Sequence, residues 1–155
     1  MIVKLRLARL SDLAALLPLV AAYHAFEGLQ TTAARREAAV RQLIANDMLG
    51  AVWLIEVDAE TAGYIALCVG FSIEFCGFDA FIDEFYLLPE FRGRSVGKQV
   101  LASIQGEARL RGINALHLEV ARDNQPARRL YAGAGFEARD KYLLMSCLIE
   151  PPPSN

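Results

Sequence analysis

Seven consecutive residues, Arg92-Gly93-Arg94-Ser95-Val96-Gly97-Lys98, pack three cations and two glycines between an apolar stretch and a helical one. A strand that feeds directly into a helix leaves the first helical N–H groups unpaired, and with the helix dipole such a place suits an anion. Glycine there lets a ligand approach the backbone. The spacing fits neither GxxxxGK[ST] nor GxGxxG. Just upstream, Phe81-Ile82-Asp83-Glu84-Phe85-Tyr86-Leu87-Leu88 sets two acids inside an otherwise apolar strand. Neighbouring strand residues point to opposite faces, so these two carboxylates share a pocket only if a bulge intervenes. Downstream, Asn124-Gln125-Pro126-Ala127-Arg128-Arg129-Leu130-Tyr131-Ala132-Gly133-Ala134-Gly135-Phe136 puts Asn124 before a short helix, Tyr131 near its end and Gly135-Phe136 after it.

The elements that must position these groups follow from pattern. Ile2 to Ala8 alternates and reads as a strand; Ser11-Asp12 offers an N-cap for a helix through about Tyr23, and Thr32 to Asn46 reads as a second helix. Ala51 to Val57 and Gly63 to Ser72 flank the polar turn Asp58-Ala59-Glu60-Thr61, a hairpin signal. Phe81 to Leu88 is a further strand, Val96 to Arg111 a helix, Ala115 to Val120 a strand, Pro126 to Ala132 a short helix and Tyr142 to Leu148 a last strand, with a short strand around Phe136. The expected fold is therefore α/β, a mixed sheet with helices on its faces.

Composition bounds the function. With 155 residues, 54% hydrophobic and 22% charged, the chain has material for one globular core, assigned to residues 1–150, with a flexible proline-rich tail at 151–155. No long apolar run and no signal-like leader appear, so a cytoplasmic protein with no membrane partner is expected. A formal net charge of -2 argues against nucleic acid as a partner. Cys68, Cys76 and Cys147 lack metal or disulfide spacing, and no metal is expected.

Taken together, the turn and the Asn124–Phe136 segment resemble the GNAT-type N-acetyltransferase superfamily. Its acetyl-CoA site combines an R-x-x-G-x-G/A turn with a following N-x-x-A-x-x-x-Y-x-x-x-G-F element. The resemblance runs from about Ile82 to Phe136 and implies a central, mostly antiparallel sheet of six to seven strands with about four helices. It implies acetyl-CoA as co-substrate, its pyrophosphate cradled by the turn from Arg92 through Gly93, Arg94, Ser95, Val96 and Gly97 to Lys98. The edge of the strand at Phe85, Tyr86 and Leu87 would hold the pantetheine arm, Asn124 would meet it from the other side, and Arg128 or Arg129 would approach the nucleotide end. Ser95 stands where the family usually has its first glycine, which costs easy access to positive φ. Tyr131 matches the family's general acid, a phenol able to donate to a departing thiolate.

For the base, Glu84 is the first choice and Asp83 the second; the IDEFYLLPEFRG stretch looks most like the polyamine- and amino-sugar-acetylating branches. Between Glu74 and Glu84 lie four acids and no Lys or Arg, interleaved with Phe71, Phe75, Phe78, Phe81 and Phe85, a setting that attracts a cationic amine. His24 and Glu27 fall where this family closes its acceptor site and are candidate contacts. The leading expectation is thus acetyl transfer to a small primary amine; a peptide acceptor and a non-catalytic acyl-CoA sensor are the alternatives. Tyr142 to Ile149 (YLLMSCLI) is apolar enough for the edge of a homodimer.

Overall fold

The computed structural model describes residues 1–149. The proline-rich tail at 151–155 lies outside them. Strand β1 (Val3–Leu7) is followed by a 3-10 turn at Leu10–Asp12, helix α1 (Leu13–Glu27), helix α2 (Ala33–Ala45), strands β2 (Gly50–Val57), β3 (Glu60–Ser72) and β4 (Gly77–Leu87), helix α3 (Val96–Leu110), strand β5 (Ala115–His117) and helix α4 (Gln125–Gly133). One sheet runs in the order β1-β2-β3-β4-β5, antiparallel throughout except for the parallel β4–β5 pair.

Alternation along β2 and β3 builds a core on each face. Trp53, Ile55, Ile65 and Leu67 meet the buried stripe Val96, Val100, Leu101, Ile104 of α3, whereas Val52, Leu54, Tyr64 and Ala66 meet Leu16, Leu19 and Val20 of α1. Burying each of these large side chains contributes about 1.5–3 kcal/mol. The β2–β3 hairpin turns on Asp58 (φ 49°) and Ala59 (φ 71°), the two left-handed residues that match the twist of a two-residue loop. Arg6 ties β1 down through Glu56 (2.6 Å) and Asp12 (3.0 Å), whose carboxyl it holds below the ordinary range.

The element order matches the sequence expectation through the short helix at Pro126–Ala132, which is α4; the differences are at the end of β5 and after α4. The expected strand Ala115 to Val120 is formed only to His117, because β4 pairs with it solely over Asp79–Phe81 and nothing pairs its other side among the described residues. Neither the segment around Phe136 nor Tyr142 to Leu148 is a strand, so among the described residues the sheet has five strands rather than six or seven, with four α-helices. Apolar alternation specifies a strand only where a neighbour accepts its backbone bonds. Tyr142, Leu143, Leu144, Met145, Leu148 and Ile149 are exposed.

Candidate active site

A bulge in β4 decides the site. Glu84 pairs with Ala66 and Ile82 with Leu67, leaving Asp83 without a partner on β3. The extra residue resets the alternation: Ile82, Phe85 and Leu87 belong to the α3 side, while Glu84 and Tyr86 face α1. Asp83 turns to that same α1 face, toward Cys68, whose thiol its charge raises. Both acids therefore share one side of the sheet, the condition that strict alternation denies them. Burial, and after it the charges of Asp83 and Glu84, push the Cys68 thiol up to about 11.

Glu84 is held from two directions. His24 Nε2 lies 2.5 Å from Oε1, and the Tyr64 hydroxyl donates to Oε2 at 2.7 Å. His24 reaches it from the last turn of α1, and its other ring nitrogen, Nδ1, is 2.9 Å from the Thr31 hydroxyl. The chain can double back this way because Gly28 ends α1 in the left-handed conformation (φ 69°), with Leu29 N–H donating to the His24 carbonyl. Tyr23 packs its ring against Tyr64 and Tyr86. Burial and the nearby carboxylates raise Tyr23 and Tyr64 far above the ordinary phenol range, so both keep their protons.

The turn expected to receive an anion lies at the end of the same strand. Beyond Phe81 and His117, β4 and β5 part, leaving β4 from Ile82 onward without a partner on that side among the described residues. Arg92 does not reach into the turn: its guanidinium lies over the Phe26 and Tyr86 rings, and Nε donates to the Leu87 carbonyl at 2.8 Å. That bond occupies one backbone acceptor of the Phe85–Leu87 edge. Gly93 (φ 71°) and Ser95 (φ 61°) are both left-handed, and Ser95 makes no side-chain cap on α3. The first N–H groups of α3 are thus left for a ligand, with the exposed Arg94 and Lys98 beside them, so the residues present fit a pyrophosphate. Val96 and Gly97 are buried; a Cβ on Gly97 would stand 3.0 Å from Leu130, so this glycine lets α4 close on α3.

On α4, the Asn124 side chain caps the helix, accepting from Ala127 N–H at 3.2 Å, which commits its carbonyl and leaves its amide to a ligand. Tyr131 is half-buried against Phe136, and burial, followed by the charge of Glu27, holds its hydroxyl above the ordinary range. Glu27, at the end of α1, lines a shallow surface pocket with Phe26, Asp123 and Asn124. Arg128 and Arg129 are exposed, and Arg128 donates to the Arg122 carbonyl. His117 pairs with Asp79 at 3.1 Å between Phe75 and Phe81, apart from the Glu84 centre. Sequence reasoning did not single out Tyr64, Tyr23 or Cys68. A buried tyrosine needs a partner for its hydroxyl, but only strand register shows that Glu84 supplies it.

A sheet that splays beside an uncapped helix N-terminus is a frame for an extended anionic ligand, and the acids and phenols next to it can move protons. The chain belongs to the acetyltransferase (GNAT) family, whose model matches residues 18–136, and it is an acetyl-CoA-dependent N-acetyltransferase. An uncharacterized N-acetyltransferase of Archaeoglobus fulgidus is 33% identical over 112 residues, 69% of this chain and 76% of that protein. An uncharacterized N-acetyltransferase of Bacillus subtilis is 44% identical over 62 residues, but these span only 40% of each chain. The aminoalkylphosphonate N-acetyltransferase of Salmonella typhimurium is 30% identical over 80 residues, 52% of each. Among solved structures, an integron cassette protein from the mobile metagenome of Cole Harbour Salt Marsh superposes with a TM-score of 0.83 at 30% identity, covering 96% of this chain and 92% of that one. A predicted acetyltransferase of Clostridium acetobutylicum, solved with acetyl-CoA, shares the fold at a TM-score of 0.75 and 20% identity, covering 94% and 96%.

Proposed function

We propose that the acceptor is a small cationic amine and that transfer is direct. The observation that carries this is the Asp83 bulge, which gathers Asp83, Glu84, His24 and Tyr64 on one face beside the cofactor frame. Exposed Asp83 anchors the ammonium, and the Glu84–His24 pair takes its proton. The freed amine attacks the thioester carbonyl carbon; the C–N bond forms as the C–S bond breaks. Tyr131, which keeps its proton, donates it to the departing thiolate. Backbone N–H groups from Gly93 to Lys98, the Phe85–Leu87 edge and the Asn124 amide bind the cofactor, with Arg128 or Arg129 toward its nucleotide end. The Salmonella typhimurium relative's name, an aminoalkylphosphonate N-acetyltransferase, supports an aminoalkyl acceptor.

No helix among the described residues is long and apolar enough to cross a membrane. A homodimer is part of the proposal: β5 is an edge of the sheet and the apolar Tyr142 to Ile149 segment is exposed, and a second copy would cover both. Thiol release from acetyl-CoA across polyamines, diamines, amino acids, amino sugars and short peptides tests the acceptor class, with light scattering for the dimer. Turnover with small cationic amines and not with peptides is expected; preference for peptides overturns the acceptor assignment.

A further inference from the structure

Glu84 is the residue that strand position and charge nominate as the base, yet both its carboxylate oxygens are already engaged by donors. Tyr64 O–H holds Oε2, and at 2.5 Å from Oε1 a proton must lie between oxygen and Nε2 of His24. A proton arriving on Glu84 would remove the negative charge that makes both of these bonds strong. His24 offers the alternative. With its Nε2–H directed at the carboxylate, the neutral ring carries its lone pair on Nδ1, where it accepts from the Thr31 hydroxyl at 2.9 Å, an exposed rotor free to turn its O–H away as the acceptor's N–H arrives. The side chain of His24 is 12% exposed and that of Glu84 17%, whereas Thr31 is exposed, so Nδ1 looks outward to the turn between α1 and α2. A carboxylate fixing one imidazole nitrogen so that the other can take a proton is a general-base arrangement recognised by geometry rather than by chain order.

We infer that His24, acting at Nδ1, is the general base for the acceptor amine, with Glu84 and Tyr64 as positioning residues that fix its tautomer and ring. The inference rests on the acetyl-transfer reading given above and names the atom within it. The ammonium proton passes to Nδ1, making an imidazolium whose Nε2–H remains on the ionised Glu84; the amine lone pair is freed for the thioester carbon, and the imidazolium later returns its proton to solvent. The titratable and charged groups around the pair are Tyr23 and Glu27 of α1, Tyr64 and Cys68 of β3, Asp83 of β4, Tyr131 of α4, and Arg36 of α2, which donates to the Thr31 carbonyl at 2.6 Å. Arg36 braces the turn that holds Thr31 against Nδ1.

The test compares kcat/KM against pH for the wild type, His24→Ala and Glu84→Gln, on whichever amine the acceptor panel identifies, with circular dichroism as a check on folding. His24→Ala is expected to lower kcat by about 10²–10⁴-fold, to lose the ascending limb of the profile and to regain rate in proportion to added imidazole. Glu84→Gln is expected to lose rate but keep that limb. A limb that survives His24→Ala and disappears in Glu84→Gln would return the base role to Glu84 and overturn the inference, as would a His24→Ala variant that folds and turns over within about threefold of wild type. Absence of turnover on every amine, in wild type and variants alike, would instead count against the acceptor reading.

Discussion

The hydroxyl of Tyr64 on β3 donates to Oε2 of Glu84 on β4 across 2.7 Å, joining a residue 1% exposed to the centre of the candidate active site. A hydrogen bond to a charged partner is worth about 1.5–3 kcal/mol, so its removal should be felt in rate as well as in stability. Tyr64→Phe is expected to lower kcat/KM about tenfold or more while leaving acetyl-CoA affinity unchanged. Steady-state kinetics beside calorimetric titration of CoA checks this; a loss of CoA affinity equal to the loss of rate would sink the assignment.

Tyr23 and Tyr64 keep their protons in the fold well above the ordinary phenol value, chiefly through burial. Above a pH of about 10 the unfolded chain releases phenolic protons that the folded one retains. Stability contributed by these groups is therefore fully present below about pH 10 and lost as pH rises beyond it. Urea midpoints measured from pH 8 upward should begin to fall there, and the slope should flatten in Tyr64→Phe.

Tyr131→Phe removes only a phenolic proton. We expect a lower kcat with little change in acetyl-CoA binding, since the ring and its contact with Phe136 remain. An unchanged rate on a substrate for which chemistry is limiting would take Tyr131 out of the acid role.

Ser95 stands exposed at φ 61° and caps nothing with its hydroxyl. For a non-glycine residue that conformation costs about 1–2 kcal/mol, partly offset by the entropy a glycine would lose. Ser95→Gly should raise stability by about 0.5–1 kcal/mol in denaturant titration and keep or tighten CoA binding. Marked weakening of CoA binding would show that the serine hydroxyl contacts the cofactor.

Cys68 has its thiol pushed up to about 11, whereas Cys76 and Cys147 are exposed. Because the thiolate is the reactive form, an aromatic disulfide reagent at pH 8 should label two thiols quickly and the third slowly. Asp83→Asn removes one of the charges that raise Cys68 and should speed the slow phase.

What the sequence by itself determined is local. The apolar stripe of Val96, Val100, Leu101 and Ile104 specifies a helix, the glycines among Arg92 to Lys98 specify the turn before it, and Asn124 with Pro126 specifies the start of a second short helix. These depend on residues within a few positions of one another, so periodicity and capping reveal them. Tertiary structure decided the rest. Asp83 and Glu84 share a face only because β4 carries one residue more than β3 can pair, and no local pattern announces a bulge. Arg92, an obvious cofactor ligand by type and place, is drawn onto two aromatic rings contributed by α1 and β4. His24 meets Glu84 across sixty residues of chain, through a left-handed glycine that folds the end of α1 back on itself. The strand expected over Ala115–Val120 alternates and the one expected over Tyr142–Leu148 is apolar, yet the first stops at His117 and the second does not form, because a strand exists by virtue of its neighbour's hydrogen bonds, which is information no single segment carries.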